Sequence, residues 1–229
     1  TGLPCDVMVD SGMNRLGVAV ADVRSGLLGG LVIETLMSHL ASADEDGPQN
    51  VQQQAAFAAL AGGTQAQRLS LANSAGILLG AEYHFDLTRP GLALYGGVPR
   101  GEAAGHIVQV VFPQAQILQR RRVAAGQSVG YNATFTAAVD TDVAILNLGY
   151  ADGYLRGFSG RGSALGGRCP VIGRVSMDLV ALDVSAAPEL GEGDWVSMDY
   201  DLSQASAQSG LSPYELLTGL GARYARVWG

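Results

Sequence analysis

Short apolar runs alternate with helix-like stretches through the first hundred residues, and this alternation limits the possible folds more than any other feature of the chain. Residues 5–10, 33–40 and 67–72 read as strands, and a fourth is expected around Arg89. Between them the pattern predicts a helical stretch after the turn Ser11-Gly12, a helix over 51–60 and a short one over 75–79. Asn50 would cap the second helix, with Gln53 three residues on. Strand–helix alternation at this spacing implies a parallel sheet, either open or part of a barrel. After about Arg100 the texture changes. Residues 107–118, 138–148, 170–175 and 179–184 read as short strands separated by glycine-rich turns such as 157–167, which predicts a mostly β domain. One helix is expected to close the chain, with Ser212 as cap, Pro213 at the first helical position and Glu215 completing a capping box. The boundary is placed near residues 100–106, giving domains 1–103 and 104–229.

Composition narrows the function classes. The 229 residues are 48% apolar and 15% charged, with a net charge of −7, so no basic face is expected to neutralise nucleic-acid phosphates or an acidic membrane. The apolar runs fall well short of the roughly 20 residues that a membrane-spanning helix needs. All 14 basic side chains are arginines. Without a lysine, this chain cannot supply the amine for covalent chemistry on a carbonyl. Cys5 and Cys169 are far apart and read as free thiols of a reduced, cytoplasmic compartment, and His39, His84 and His106 lack the spacing of a metal site.

Several stretches carry chemistry-bearing residues. Phe85-Asp-Leu-Thr-Arg-Pro-Gly91 sets Arg89 before a rigid turn; an always-charged guanidinium beside uncovered N–H groups can hold an anion or a polar ring edge. Val9-Asp-Ser-Gly-Met-Asn-Arg-Leu-Gly17 offers Arg15 just after a strand end. In Leu69-Ser-Leu-Ala-Asn-Ser-Ala-Gly76, Asn73 and Ser74 stand where a helix begins, which suits an anion as well as a cap. Tyr131 follows a glycine in Gly126-Gln-Ser-Val-Gly-Tyr131. Taken singly, each is more often a cap, a core tyrosine or a surface arginine.

Taken together and in this order, they resemble alanine racemase, a pyridoxal-phosphate enzyme that interconverts L- and D-alanine. The resemblance extends to Ser38-His-Leu-Ala-Ser-Ala-Asp44, Leu94-Tyr-Gly96, Gly149-Tyr-Ala-Asp-Gly-Tyr154 and Gly173-Arg-Val-Ser-Met-Asp178. It implies the C-terminal half of a TIM-like (β/α)8 barrel followed by a β domain. It also implies that the first barrel strands, and the lysine that holds the cofactor, lie outside this chain, so that the chain alone is expected to be inactive.

The same resemblance assigns roles. Arg89 would face the pyridine nitrogen. Ser74 and the amides of Gly91 and Leu92 would hold the phosphate, with Asn73 and Trp228 nearby. Tyr131 would be one catalytic base, helped by His39 in a Tyr131–His39–Arg89 relay. Arg15 and the backbone at Met177 would bind the substrate carboxylate. Tyr150, Asp44, Arg156 and Arg174 would line a narrow access corridor. The family implies a homodimer with Tyr131 and Met177 acting in trans, and a place in the supply of D-alanine for peptidoglycan. Two positions depart from the family pattern: Trp228 stands where an aromatic hydroxyl is usual, and Met8 where many members carry a carbamylated lysine. A broader or serine-directed racemase, or a non-catalytic module, stays open as an alternative.

Overall fold

The computed structural model describes residues 2–228, which form two compact units. The first runs to Leu94 and takes in Val98–Ile107; the second comprises Tyr95–Gly97 and the chain from Val108 onward.

In the first unit, β1 (Pro4–Asp10), β2 (Val18–Ala19), β3 (Val32–Met37) and β4 (Arg68–Ser70) make a sheet in the order β2-β1-β3-β4, with every pairing parallel. Parallel neighbours need crossovers. The short helix α1 (Val20–Arg24) lies between β2 and β3, and the longer α2 (Pro48–Ala61) between β3 and β4. Val9, Ile33, Leu36, Phe57, Leu60 and Leu71 form the core, and Phe57 of α2 meets Phe85 edge-to-face at 5.0 Å between ring centres.

Three expectations for this unit need correction. The helix expected after Ser11-Gly12 comes later than the turn suggests: Asn14 takes a left-handed φ of 57°, the segment bends into β2, and only then does α1 begin at Val20. Asn50 does not cap α2: Pro48, which has no N–H to satisfy, starts the helix behind Gly47, so Asn50 and Gln53 lie inside it as buried side chains. Around Arg89 there is no strand, only a single parallel bridge between Asn73 and Arg89, with Arg89 N–H donating to Ala72 O at 2.8 Å. Pro90 follows with no N–H, so the ladder stops there.

In the second unit the strands are β5 (Gln114–Val123), β6 (Ser128–Val129), β7 (Phe135–Thr136), β8 (Thr141–Leu146), β9 (Ser163–Ala164), β10 (Cys169–Ile172), β11 (Val180–Asp183) and β12 (Trp195–Ser197). Six of them form an antiparallel sheet in the order β12-β5-β8-β11-β10-β9, and β6 pairs with β7. Tyr154 and Phe158 stack at 4.3 Å beside Tyr200 in its core. The strand expected over 107–118 begins only at Gln114. Val108, Val110 and Phe112 stay exposed ahead of Pro113, so their alternation mimics a strand without pairing as one.

Two helices, not one, end the chain. Asp201 caps α3 (Leu202–Ser209) by accepting from Gln204 N–H, and α4 (Pro213–Gly219) carries the expected reciprocal box of Ser212 and Glu215. Cys5 and Cys169 are free thiols. No helix among the described residues is long and apolar enough to cross a membrane.

Phe57 has no exposed surface, so Phe57→Ala is expected to lower the stability of the first unit by about 3–5 kcal/mol, read as a lower urea midpoint with little change in slope.

Candidate functional site

In the first unit the candidate residues lie just past the carboxyl ends of parallel strands, where sheets of this kind bind ligands. Arg15 follows β1, His39 and Asp44 follow β3, and Asn73 and Ser74 follow β4.

Arg89 is half-buried and held from three directions. One terminal nitrogen donates to Ser70 Oγ at 2.5 Å; the other donates to Ser38 O at 2.6 Å and Leu71 O at 3.4 Å. Ser70 Oγ donates in turn to Leu87 O at 2.7 Å. Burial pulls the guanidinium below its usual value, yet an arginine remains charged at neutral pH.

His39 is half-buried beside that charge. Burial first, then the charges of Arg89 and Arg15, hold the imidazole below the ordinary 6.5, so it is neutral at pH 7. The structure thus brings His39, Arg89 and Arg15 within electrostatic reach. The hydrogen bonds of the Arg89 guanidinium go to Ser70, Ser38 and Leu71, not to the imidazole.

Ser74 is buried, and its Oγ accepts from Gly91 N–H at 2.9 Å and Ala93 N–H at 3.3 Å, so two main-chain donors converge on one oxygen. A Cβ added at Gly91 would meet nothing within 4 Å, which leaves its Cα open to an approaching group. Leu92 is buried next to it. Asn73 is used locally, its Oδ1 accepting from Gly76 N–H at 2.9 Å.

Asp10 organises the turn that bears Arg15. Its carboxylate accepts from the N–H groups of Gly12 (2.8 Å), Met13 (2.9 Å) and Arg15 (3.1 Å), and these bonds, led by that of Gly12, hold its carboxyl below the ordinary range. Asp44 is exposed on a loop anchored by Arg100, whose buried guanidinium donates to Ala43 O at 2.9 Å and pairs with Asp46 at 2.5 Å and Glu102 at 2.9 Å.

The second unit gathers its own candidates. Tyr131 is exposed on a turn in which Asn132 and Ala133 both take left-handed φ values (61° and 49°), strain that persists only where surroundings enforce it. Gly173 packs against the carbonyl of Val129, where a Cβ would sit 2.6 Å from the oxygen, and so draws the Arg174 loop beside the Tyr131 turn. Gly149 lies equally close to Met177, a Cβ there falling 2.3 Å from Met177 O. Tyr150 N–H donates to Ser176 O (3.0 Å) and Ala151 N–H to Met177 O (2.9 Å). These two close approaches put Tyr131, Arg174, Met177 and Tyr150 on adjoining loops.

Arg174 also lines a cavity of about 200 Å³ together with Arg121, Ser128 and Ser176. The Arg156 guanidinium lies 5.0 Å from the centre of the Tyr150 ring, a cation–π contact. Trp228 is almost fully exposed, while Arg223 of the same terminal segment pairs with Asp152 (3.1 Å) and Asp178 (2.6 Å).

Comparison with known proteins follows the same two-part division. The alanine racemase N-terminal domain matches residues 1–99 and the alanine racemase C-terminal domain matches residues 110–228. The chain belongs to the alanine racemase family.

Among the relatives, alanine racemase of Rhodospirillum rubrum is 44% identical over 99% of this chain, and a catabolic alanine racemase of Mesorhizobium japonicum is 42% identical over 98%. The chain spans 64% and 62% of their respective lengths. Among solved structures, alanine racemase of Bartonella henselae with covalently bound pyridoxal phosphate superposes with a TM-score of 0.86 at 34% identity, covering 98% of this chain and 66% of that one. The biosynthetic alanine racemase of Pseudomonas aeruginosa gives 0.84 at 35% identity, covering 100% and 68%. The fold is therefore that of the family: part of its N-terminal barrel domain and its C-terminal β domain.

Sequence reasoning missed Ser70, Ser38, Arg100 and the inward role of Gln53. The available signal was polar residues in otherwise apolar or alanine-rich runs.

His39 gives a pH test. The unfolded chain takes up a proton near 6.5 while the folded one resists it, so stability falls as pH drops below that value and is unaffected above it. Urea midpoints measured between about pH 5 and 8 should show this slope, and His39→Gln should flatten it.

Proposed function

We propose that the protein is a pyridoxal-phosphate-dependent alanine racemase working by two bases. The observation that carries this reading is the juxtaposition, on one unit of a family member, of a fixed Arg89 guanidinium and the Ser74–Gly91 cradle. The donor set fits the cofactor. Converging N–H groups and a buried hydroxyl suit a phosphate, and the open face of Gly91 admits it. Ser74 with the amides of Gly91 and Leu92 would hold that phosphate, and Arg89 would meet the ring nitrogen. Bound pyridoxal phosphate would supply the electron sink that lets the α-proton of alanine leave.

Arg89 would set how strong that sink is. It stays charged at neutral pH although burial lowers its pKa, so it gives up no proton; a ring nitrogen facing it would stay unprotonated, which would favour return of the α-proton over side reactions. Tyr131 would take the α-proton of L-alanine. A free tyrosine has a pKa near 10, so it needs positive charge nearby, which the neutral His39 would relay from Arg89. Arg15 and the backbone at Met177 would orient the substrate carboxylate. With Met8 in place of a carbamylated lysine, Arg15 would be oriented otherwise; Asp10 holds its main chain by accepting from the Arg15 N–H. Tyr150, Asp44, Arg156 and Arg174 would restrict access to small amino acids, and Trp228 would contribute an indole N–H near the phosphate.

The rest of the reading follows the family. Residues 1–103 would be the second half of a (β/α)8 barrel, and 104–229 the β domain. Two copies would pair in the cytoplasm, with Tyr131 and Met177 acting in trans at the other copy's active site. D-Alanine for peptidoglycan is the use we favour, although the Mesorhizobium relative is catabolic. The second base would, as the family implies, be a lysine, a residue type these 229 residues do not contain, so the assay uses the protein as isolated from its source.

That protein, loaded with pyridoxal phosphate, should exchange the α-proton of both alanine isomers for solvent deuterium, followed by proton NMR. Cofactor binding without exchange would overturn the proposal. Tyr131→Phe should slow exchange from L-alanine by about 10²–10⁴-fold and spare exchange from D-alanine.

A further inference from the structure

Gln53 is buried, 1% exposed, in a helix otherwise rich in alanine. A primary amide in such a place costs free energy unless both of its ends are satisfied. Both are. Its Oε1 accepts from Ala41 N–H at 2.8 Å, and its Nε2 donates to His39 O at 3.0 Å and reaches Ser11 Oγ at 3.4 Å. The amide fits in one orientation only, since a flip would set donor against donor at Ala41 and acceptor against acceptor at His39.

These bonds hold the main chain at His39 and two residues beyond it. On the other flank, Arg89 donates to Ser38 O at 2.6 Å, and Ser38 N–H donates to Ser70 O at 3.0 Å. The His39 peptide is thus fixed between a guanidinium and an amide. Ser11 and Ser38 share a hydrogen bond of 2.7 Å between their hydroxyls, which ties the turn after β1 into the same network.

The same face of α2 continues the pattern. Gln49 accepts from Ser42 Oγ at 2.9 Å, and Asn50 donates to Ser42 O at 3.0 Å and Glu45 O at 2.9 Å. Positions 49, 50 and 53 lie on one side of a helix, so a single rigid element grips the loop at successive points. None of the three carries a charge, so the charges acting on the imidazole remain those of Arg89 and Arg15.

We propose that Gln53 is a positioning residue that sets the His39 imidazole relative to Arg89, with α2 as the fixed reference. It touches neither substrate nor cofactor in this reading; it acts through His39. The positioning itself stands on the hydrogen bonds, while its catalytic consequence rests on the racemase reading.

Gln53→Met keeps the volume and removes both bonds. In ¹⁵N-histidine NMR, with the His39 signal assigned from His39→Gln, wild type should titrate below 6.5 and Gln53→Met should move the midpoint up toward that value. The Ala41 amide should lose its protection from hydrogen exchange in Gln53→Met. Gln53→Glu, which keeps an acceptor for that amide, should retain the protection and serves if Gln53→Met does not fold. In the racemase assay kcat for Gln53→Met should fall by roughly 10- to 100-fold with little change in KM. Phe57→Leu, on the core face of the same helix, should lower stability and leave the His39 midpoint where it is.

A moved midpoint with a freely exchanging Ala41 amide supports the assignment. An unchanged His39 midpoint in Gln53→Met, or a shift of equal size in Phe57→Leu, overturns it. A wild type that exchanges no α-proton overturns the racemase reading alone, since the titration and amide exchange still decide the role of Gln53.

Discussion

The first unit depends on satisfying one partly buried cation. A guanidinium taken out of water must find acceptors in directions fixed by its planar fork. Arg89 finds them in the hydroxyl of Ser70 and the carbonyls of Ser38 and Leu71, all at the ends of β3 and β4. Those ends are where strand pairing runs out and carbonyls lose their ladder partners. The arginine completes the sheet's hydrogen bonding and the sheet aims the arginine, so neither arrangement stands without the other.

Arg100 applies the same physics one loop further out. Its buried fork gathers Ala43 O, Asp46 and Glu102 and so closes the loop that the Gln49 and Asn50 amides hold from the helix side. A chain whose cations are all arginines gains rigidity here, because a planar donor fork constrains several acceptors at once where an ammonium acts as a point charge. In the second unit close backbone packing does the equivalent work: Gly149 and Gly173 let loops touch through their main chains, leaving the side chains of Tyr131, Tyr150 and Arg174 free to face outward or into cavities.

What was legible in the sequence was what local chemistry decides. Alternating runs gave β1, β3, β4, β8, β10 and β11 to within a few residues and β5 only in part, while the short β6, β7, β9 and β12 gave no such pattern; Ser212-Pro213 with Glu215 gave the start of α4. The order of the motifs gave the family. What failed was set by tertiary partners or by single backbone preferences. Asn50 and Gln53 have the spacing of a cap, but Pro48 starts the helix first and the loop after β3 takes up their amides. The run from Val108 to Phe112 alternates correctly and finds no strand to pair with. The acceptors of Arg89 could not be read in advance, since they are mostly main-chain oxygens brought in by the register of neighbouring strands.

The Ser74 hydroxyl has one further consequence. Because it already receives two amide N–H groups, an oxyanion arriving there trades one oxygen for another at donors that are aligned beforehand. Little water has to be stripped and no loop has to be ordered, so the exchange is nearly isoenergetic in hydrogen bonds and low in entropy cost. The same serine is also a standing competitor for those donors. Grip on a phosphate is thereby tempered, and the selection of a phosphorylated ligand over a neutral one comes from charge more than from the number of bonds formed.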